Sequence, residues 1–217
     1  MRRFWGLAAL LAAAVGAPAG ATAPPSALAQ ANDAFAKVDD YHMTIAVHET
    51  AGDQVQDRTY AVSFKKPSLE KVDIVAGAGK GSGIVWLGGD TVRGHRGGLF
   101  SGLKMTLDLH NSQVVTLRGD SVDHATIASM LDQFARTKGT VSQAPGPQID
   151  GAGSDALTLD VADPTSDHDV SRVVLYLSEA THLPVRRESF VGTQLVKSEH
   201  VTDMKTNVGL TASDFPW

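Results

Sequence analysis

The sequence predicts a mainly β domain of the α+β class, with many antiparallel strands and about two helices, and three observations predict it. Leu103 to His110 places a large apolar residue at every odd position and a polar one at every even position, which is the period of a strand with one buried face. Ser171 to Phe215 reads as consecutive β-rich runs joined by punctuated turns, a meander closed by a distinctive tail. Helical spacing, in contrast, is confined to two segments.

The first of these lies in Pro24 to Asp40, where Leu28, Ala31, Phe35 and Val38 share one helix face. Alternation follows at once. Tyr41, Met43, Ile45 and Val47 share one strand face, while His42, Thr44, Ala46 and His48 share the other. Ala51-Gly52-Asp53 turns the chain into a strand with Tyr60, Val62 and Phe64 on its apolar face, which Lys65-Lys66-Pro67 stops. Val72 and Ile74 mark a shorter third strand.

Gly77 to Gly102 holds ten of the chain's 21 glycines, interrupted by Ile84-Val85-Trp86-Leu87 and Thr91-Val92-Arg93, so two short strands with pliable connections are expected. The strictly alternating strand at Leu103 to His110 follows, with one face buried. After Val114 to Leu117, Asp120 or Ser121 caps the second helix, in which Ile127, Met130, Leu131 and Phe134 fall at i, i+3, i+4 and i+7, ending near Lys138-Gly139. Gln143 to Ser154, rich in proline and glycine, reads as a loop. Leu157, Leu159 and Val161 alternate in the next strand. The closing meander then runs through Arg172 to Leu177, Val185 to Phe190 and Leu195 to Met204.

The beginning of the chain reads as an export segment. Arg2 and Arg3 precede the apolar run Leu7 to Val15, which is shorter than the roughly 20 residues a membrane-spanning helix needs. Ala27-Leu28-Ala29 is the favoured small-x-small cleavage site, with Ala21-Thr22-Ala23 weaker because Pro24 would follow the cut. The expected organisation is a signal peptide over residues 1–29 and one domain over 30–217, an exported bacterial protein of the periplasm that is not integral to a membrane. There are no cysteines, which excludes disulfides, thiolate chemistry and lipid attachment at a new N-terminal cysteine. The 24 acidic residues outnumber the 19 basic ones, and this sign disfavours nucleic acid as a partner.

The residues that invite reactive chemistry are poorly placed for it. His42 and His48 share a strand face, but six residues of extended chain separate them by about 20 Å, too far for one metal ion. Gly79-Lys80-Gly81-Ser82-Gly83 lacks the following helix of a phosphate cradle and the glycines of a nucleophile elbow. No pair of carboxylates is positioned for acid and base roles. The sequence therefore predicts a non-enzymatic protein with no cofactor and no metal site.

What remains are apolar faces in excess of the helices available to cover them. Tyr41, Met43, Ile45, Tyr60, Val62, Phe64, Trp86, Met105 and Leu107 are the candidate lining of an apolar ligand cavity. Arg93 and Arg96, on the glycine-rich stretch, are candidates to grip an anionic head group.

Leu175-Tyr176-Leu177, the turn Glu179 to Pro184, the returning Arg186-Arg187-Glu188, and the ending Asn207-Val208-Gly209-Leu210 with Asp214-Phe215 resemble the close of LolA-like periplasmic outer-membrane lipoprotein carriers. An opening helix, Lys66-Pro67 before a short strand, a Trp86-bearing strand and a helix before the last strands follow the same order. The resemblance implies an open, curved antiparallel half-barrel of about ten or eleven strands, with helices covering its apolar concave face. It also implies a carrier or chaperone that shields lipid or the acyl chains of a lipidated client, passed between inner- and outer-membrane transport proteins. The glycine-rich middle departs from those carriers and leaves the client open. An envelope sensor or assembly protein that uses this fold to bind a protein partner is the alternative.

Overall fold

The computed structural model describes residues 25–98 and 103–216. The export segment, with Arg2, Arg3, Leu7 to Val15 and Ala21-Thr22-Ala23, lies outside the described residues, as do 99–102 of the glycine-rich stretch.

Alternation dictates the first half of the chain. Strands β1 (Asp40–Ala51), β2 (Gln54–Lys65), β3 (Leu69–Gly77), β4 (Gly83–Trp86), β5 (Thr91–His95) and β6 (Lys104–Asp108) form one antiparallel meander. The second half repeats the plan with β7 (Gly139–Pro145), β8 (Ser154–Val161), β9 (Arg172–Ser178), β10 (Pro184–Val191) and β11 (Gln194–Thr206). The first and last strands pair, Tyr41 opposite Thr206 and Glu49 opposite Lys197, so one 11-stranded sheet results, in the order β6-β5-β4-β3-β2-β1-β11-β10-β9-β8-β7. β6 and β7 do not pair with each other, and the sheet stays open. Helix α1 (Ser26–Ala36) precedes β1, and helix α2 (Ile127–Arg136) lies on the crossover from β6 to β7.

This topology settles where the cover must be. The chain leaves the centre of the sheet, reaches one edge at β6, and has to cross to the opposite edge before it can pair inward again. The crossing segment, 109–138, passes over the face bearing Tyr41, Met43, Ile45, Val62, Phe64, Leu157, Leu159, Val173, Leu175 and Leu177, all buried. Those residues join Ala27, Leu28 and Ala31 of α1 and Ile127, Met130, Leu131 and Phe134 of α2 in one apolar core. That core extends from Val92 of β5 to Leu159 of β8, positions separated by about 40 Å along a flat sheet at about 4.8 Å per strand. Two helices, each about 10 Å across, cover this span only because the sheet is curved around them. The outer face is dressed separately, where Leu210 and Phe215 of the tail pack on Val85.

Three local expectations are corrected. The loop predicted from Gln143 begins later, because β7 runs on to Pro145 opposite Asp155; its residues are exposed except for a half-buried Val141, so it carries no alternation, and an edge strand tolerates a proline. Neither Asp120 nor Ser121 caps α2. Thr126 does, its hydroxyl accepting the Ser129 N–H at 3.0 Å, because a short 3-10 turn at Val122–His124 intervenes. At β6 the apolar face is only partly covered: Leu109 is buried, Met105 and Leu107 are half-buried, and Leu103 is 55% exposed.

Candidate functional site

The crossing segment does not lie flush on the sheet. Between them is a cavity of about 520 Å³, within the size range of small-molecule pockets. Ile45, Val47, Tyr60, Val62, Val72, Ile74 and Ile84 form its floor, Met105 and Leu107 its side, and Val114, Val115 and Val122 its roof. The β1–β4 residues are there because inward positions on neighbouring strands fall in register, Ile45 opposite Tyr60 and Val62 opposite Val72, then Ile84. A second space of about 820 Å³ lies under α2 and is more polar, with Phe64 and Trp86 at its border.

Five of the nine candidate lining residues, Ile45, Tyr60, Val62, Met105 and Leu107, border the first cavity. Phe64 and Trp86 border the second. Tyr41 and Met43 fill the core beneath the helices. The Tyr41 ring stacks on Phe64 at 5.0 Å, and its hydroxyl accepts the Ile127 N–H at 3.2 Å. Burial raises the Tyr41 phenol well above its ordinary value, with Glu70 adding to the effect, so it stays a neutral hydrogen-bonding group. The two arginines separate. Arg96 borders the cavity and donates to Gln113 Oε1 on the roof at 2.8 Å. Arg93 pairs opposite Val85 and Thr106, which places it on the outer row of the sheet.

Sequence reasoning missed the feature that divides the two spaces, a row of buried charges across β10, β11 and β1. Arg187 grips Glu199 with two hydrogen bonds, Nε to Oε2 and Nη2 to Oε1, the latter at 2.9 Å. The Lys197 ammonium lies 3.3 Å from Glu199, 3.4 Å from Glu49 and 2.6 Å from Asp120. Arg187, Lys197, Glu199 and Glu49 are each less than a tenth exposed. Asp120 belongs to the crossing segment, and Leu117 from the same segment donates its N–H to Glu49 Oε2 at 3.1 Å. The row therefore ties the roof to the floor.

Charge arithmetic decides the state of these groups. Burial alone would raise the Asp120 carboxyl, but Lys197, the His124 imidazole 3.9 Å away and Arg187 outweigh it and hold Asp120 far below the usual carboxylate range. Burial likewise opposes charge on Lys197 and Arg187, and the neighbouring carboxylates, Glu199 foremost, keep both firmly protonated. Glu199 is held below its ordinary value against its own burial by Arg187 and Lys197. Asp120, Glu199, Lys197 and Arg187 are charged at neutral pH. A signal for the row exists in the alternation: the inward face Tyr41, Met43, Ile45, Val47 continues to Glu49, and Lys197 and Glu199 stand in phase with the buried Val201.

Glu70 is the opposite case. It faces inward on β3 between Phe64 and Trp86, is fully buried, and neither carboxyl oxygen has a hydrogen-bond partner. Burial, with Asp123 adding to it, raises this group well above its ordinary value, so it rests as a neutral acid. Among the described residues there is no group of three or more His, Asp or Glu side chains that could hold a metal ion. Nor is any described helix long and apolar enough to cross a membrane.

No family model matches the sequence, and no curated protein matches it. Solved structures do. An uncharacterized conserved protein from Thermus thermophilus aligns over 87% of this chain and 90% of its own, with a TM-score of 0.53 and 10% identity. A putative outer membrane lipoprotein-sorting protein domain from Vibrio parahaemolyticus aligns over 87% and 95%, with a TM-score of 0.48 and 12% identity. A LolA superfamily protein from Nitrosomonas europaea aligns over 88% and 96%, with a TM-score of 0.42 and 16% identity. At such identities the likeness is one of fold, and the fold this chain shares with the Thermus thermophilus protein is the one built above, an open antiparallel sheet whose concave face carries the helices.

Proposed function

We propose that this chain is a non-enzymatic periplasmic carrier that shields an acyl chain, belonging to a lipid or to a lipidated client, in the cavity under its crossing segment. The observation that supports it is the 520 Å³ space between an apolar floor and a roof fixed by charges. A fold that needed only a core would close such a gap, because unfilled apolar space costs contacts on every side. Burial of a chain there contributes about 0.8 kcal/mol per methylene. The export segment expected at the beginning of the chain supports a carrier outside the cytoplasm, and hand-over between inner- and outer-membrane proteins is part of the same reading.

Native mass spectrometry of protein purified from its own cell envelope tests this. Co-purifying lipid, together with saturable uptake of a fluorescent fatty acid, is the expected result. Protein that is always lipid-free and takes up no fatty acid overturns it, and a stoichiometric protein captured in place of lipid would favour the sensor or assembly role.

A further inference from the structure

The glycine-rich stretch has a structural purpose that acyl-chain shielding alone does not require. The turn after β3 and the turn after β5 pack backbone to backbone at one end of the cavity. A Cβ on Gly97 would sit 2.3 Å from the Lys80 carbonyl oxygen, and one on Gly77 would sit 2.0 Å from the Asp57 carbonyl oxygen. Only glycine permits either approach. Hydrogen bonds hold the arrangement: Ser82 Oγ accepts the Gly97 N–H at 3.0 Å, and the Gly81 N–H reaches Ile74 O at 2.8 Å.

The contact gathers three cations around the cavity mouth, Arg58 from β2, Lys80 from the first turn and Arg96 from the second, all bordering the cavity. Arg58 is braced by Nε to the Ala78 carbonyl at 2.9 Å and Nη1 to the Tyr60 hydroxyl at 3.4 Å, and Arg96 by one bond to Gln113. A guanidinium has five N–H donors, so both retain donors that no described residue satisfies. Among the described residues, no carboxylate outside the buried row borders the cavity. The acids that border the cavity are Asp120 and Glu199, and both are committed to Lys197 and Arg187 in the buried row.

We infer that the cavity is built for an anionic amphiphile, an acyl chain in the apolar trough with a carboxylate or phosphate head held by Arg58, Arg96 and Lys80. This rests on the carrier reading and adds the chemistry of the ligand. Guanidinium donors suit such heads because they form paired, charge-assisted hydrogen bonds.

The test measures affinities of the exported protein for ligands with one chain and different heads: palmitate, lysophosphatidylglycerol, monopalmitoylglycerol and hexadecyltrimethylammonium. The anionic pair is expected to bind about tenfold to hundredfold tighter than the neutral glyceride, the range for hydrogen bonds to charged groups. The double variant Arg58→Gln/Arg96→Gln should lose that preference while keeping its affinity for the glyceride. Lys80→Gln, at an exposed position, should weaken anion binding by a smaller factor without disturbing the fold. Preference for palmitate alone identifies a free fatty acid, and preference for the lysophospholipid alone a phosphate head; either supports the inference. Equal affinity for charged and neutral heads, or a preference that survives in the double variant, overturns it and leaves the carrier standing. Binding of none of the four overturns both.

Discussion

Lys197 and Asp120 meet at 2.6 Å, joining the middle of the sheet to the segment that roofs the cavity. Because Lys197 also faces Glu49 and Glu199, the contact is one link in a buried chain of charges. Such chains are costly to assemble and costlier to leave half-made.

Asp120→Asn removes the link from the roof side and leaves Lys197 with two carboxylates, so the loss should be about 1–3 kcal/mol. Lys197→Met takes the cation from Glu49 and Asp120 and leaves Glu199 with Arg187 alone, and should cost about 3–5 kcal/mol. Hydrogen exchange separates cause from effect: Asp120→Asn should accelerate exchange at 113–121 more than in β9 or β10. Uniform acceleration would mean that the pair serves global stability and not the roof.

The pH response of that link follows from the sign of the shifts. The folded Asp120 carboxyl lies below its ordinary 3.8, so its stabilisation is present above that value and is lost only as pH falls through the folded value. His124, raised by the Asp120 carboxylate 3.9 Å away, gains its proton as pH drops and adds a cation beside the same carboxylate. Lowering the pH from about 7.5 to about 5 should therefore leave release of bound monopalmitoylglycerol, whose head does not titrate, no faster. Stopped-flow release that speeds up over this range would refute the assignment.

Glu70 predicts the reverse slope. Its folded value is raised above the ordinary 4.5, so the folded state holds this proton more tightly than the unfolded chain does, and stability should decline as pH rises from 4.5 towards the folded value. Glu70→Met removes a buried, unpartnered carboxyl and keeps volume, so it should stabilise the fold by about 1–3 kcal/mol and flatten the decline. Urea unfolding across pH measures both. A destabilised variant with an unchanged slope would show that the carboxyl has a partner.

The strands of this fold were legible where one face is buried and the other is wet. β1, β2, β6 and β8 to β11 were readable because alternation records that asymmetry directly. β7 was not, since an edge strand with both faces exposed leaves no period to detect. The cavity was legible only as an excess of apolar faces: Ile45 lines it while Met43, two residues earlier on the same face, lies under the helices, and that division depends on where the crossover happens to pass. The charge row was hidden for a related reason. Lys197 and Glu199 look like solvated side chains until β10 and β1 flank them and the roof comes down on top.

The position of α1 bears on export processing. Ala27 and Leu28 are buried in the core, and the helix start is fastened to β7, with Gln143 Oε1 accepting the Ala27 N–H at 3.0 Å. Cleavage after Ala29, the site that spacing favours, would remove both residues, and losing a buried leucine side chain alone costs about 2–5 kcal/mol. The mature chain is expected to begin ahead of Ser26, and the intact mass of exported protein reads this directly. A mass corresponding to a start at Gln30 would show that α1 is shorter in the mature protein than the fold implies.

Filling the cavity separates its purpose from its contribution to the fold. Met105 is half-buried and, with Leu107 on the same inward row of β6, borders the cavity. A larger side chain there has space to enter, unlike one at Tyr41 or Leu175, where close packing would force strain of about 1–3 kcal/mol. Met105→Trp should keep the melting temperature within a few degrees while lowering fatty-acid affinity about tenfold or more, because the indole takes the volume the chain would occupy. If affinity survives, the acyl chain lies elsewhere, and the more polar space under α2, bordered by Phe64 and Trp86, becomes the place to obstruct next.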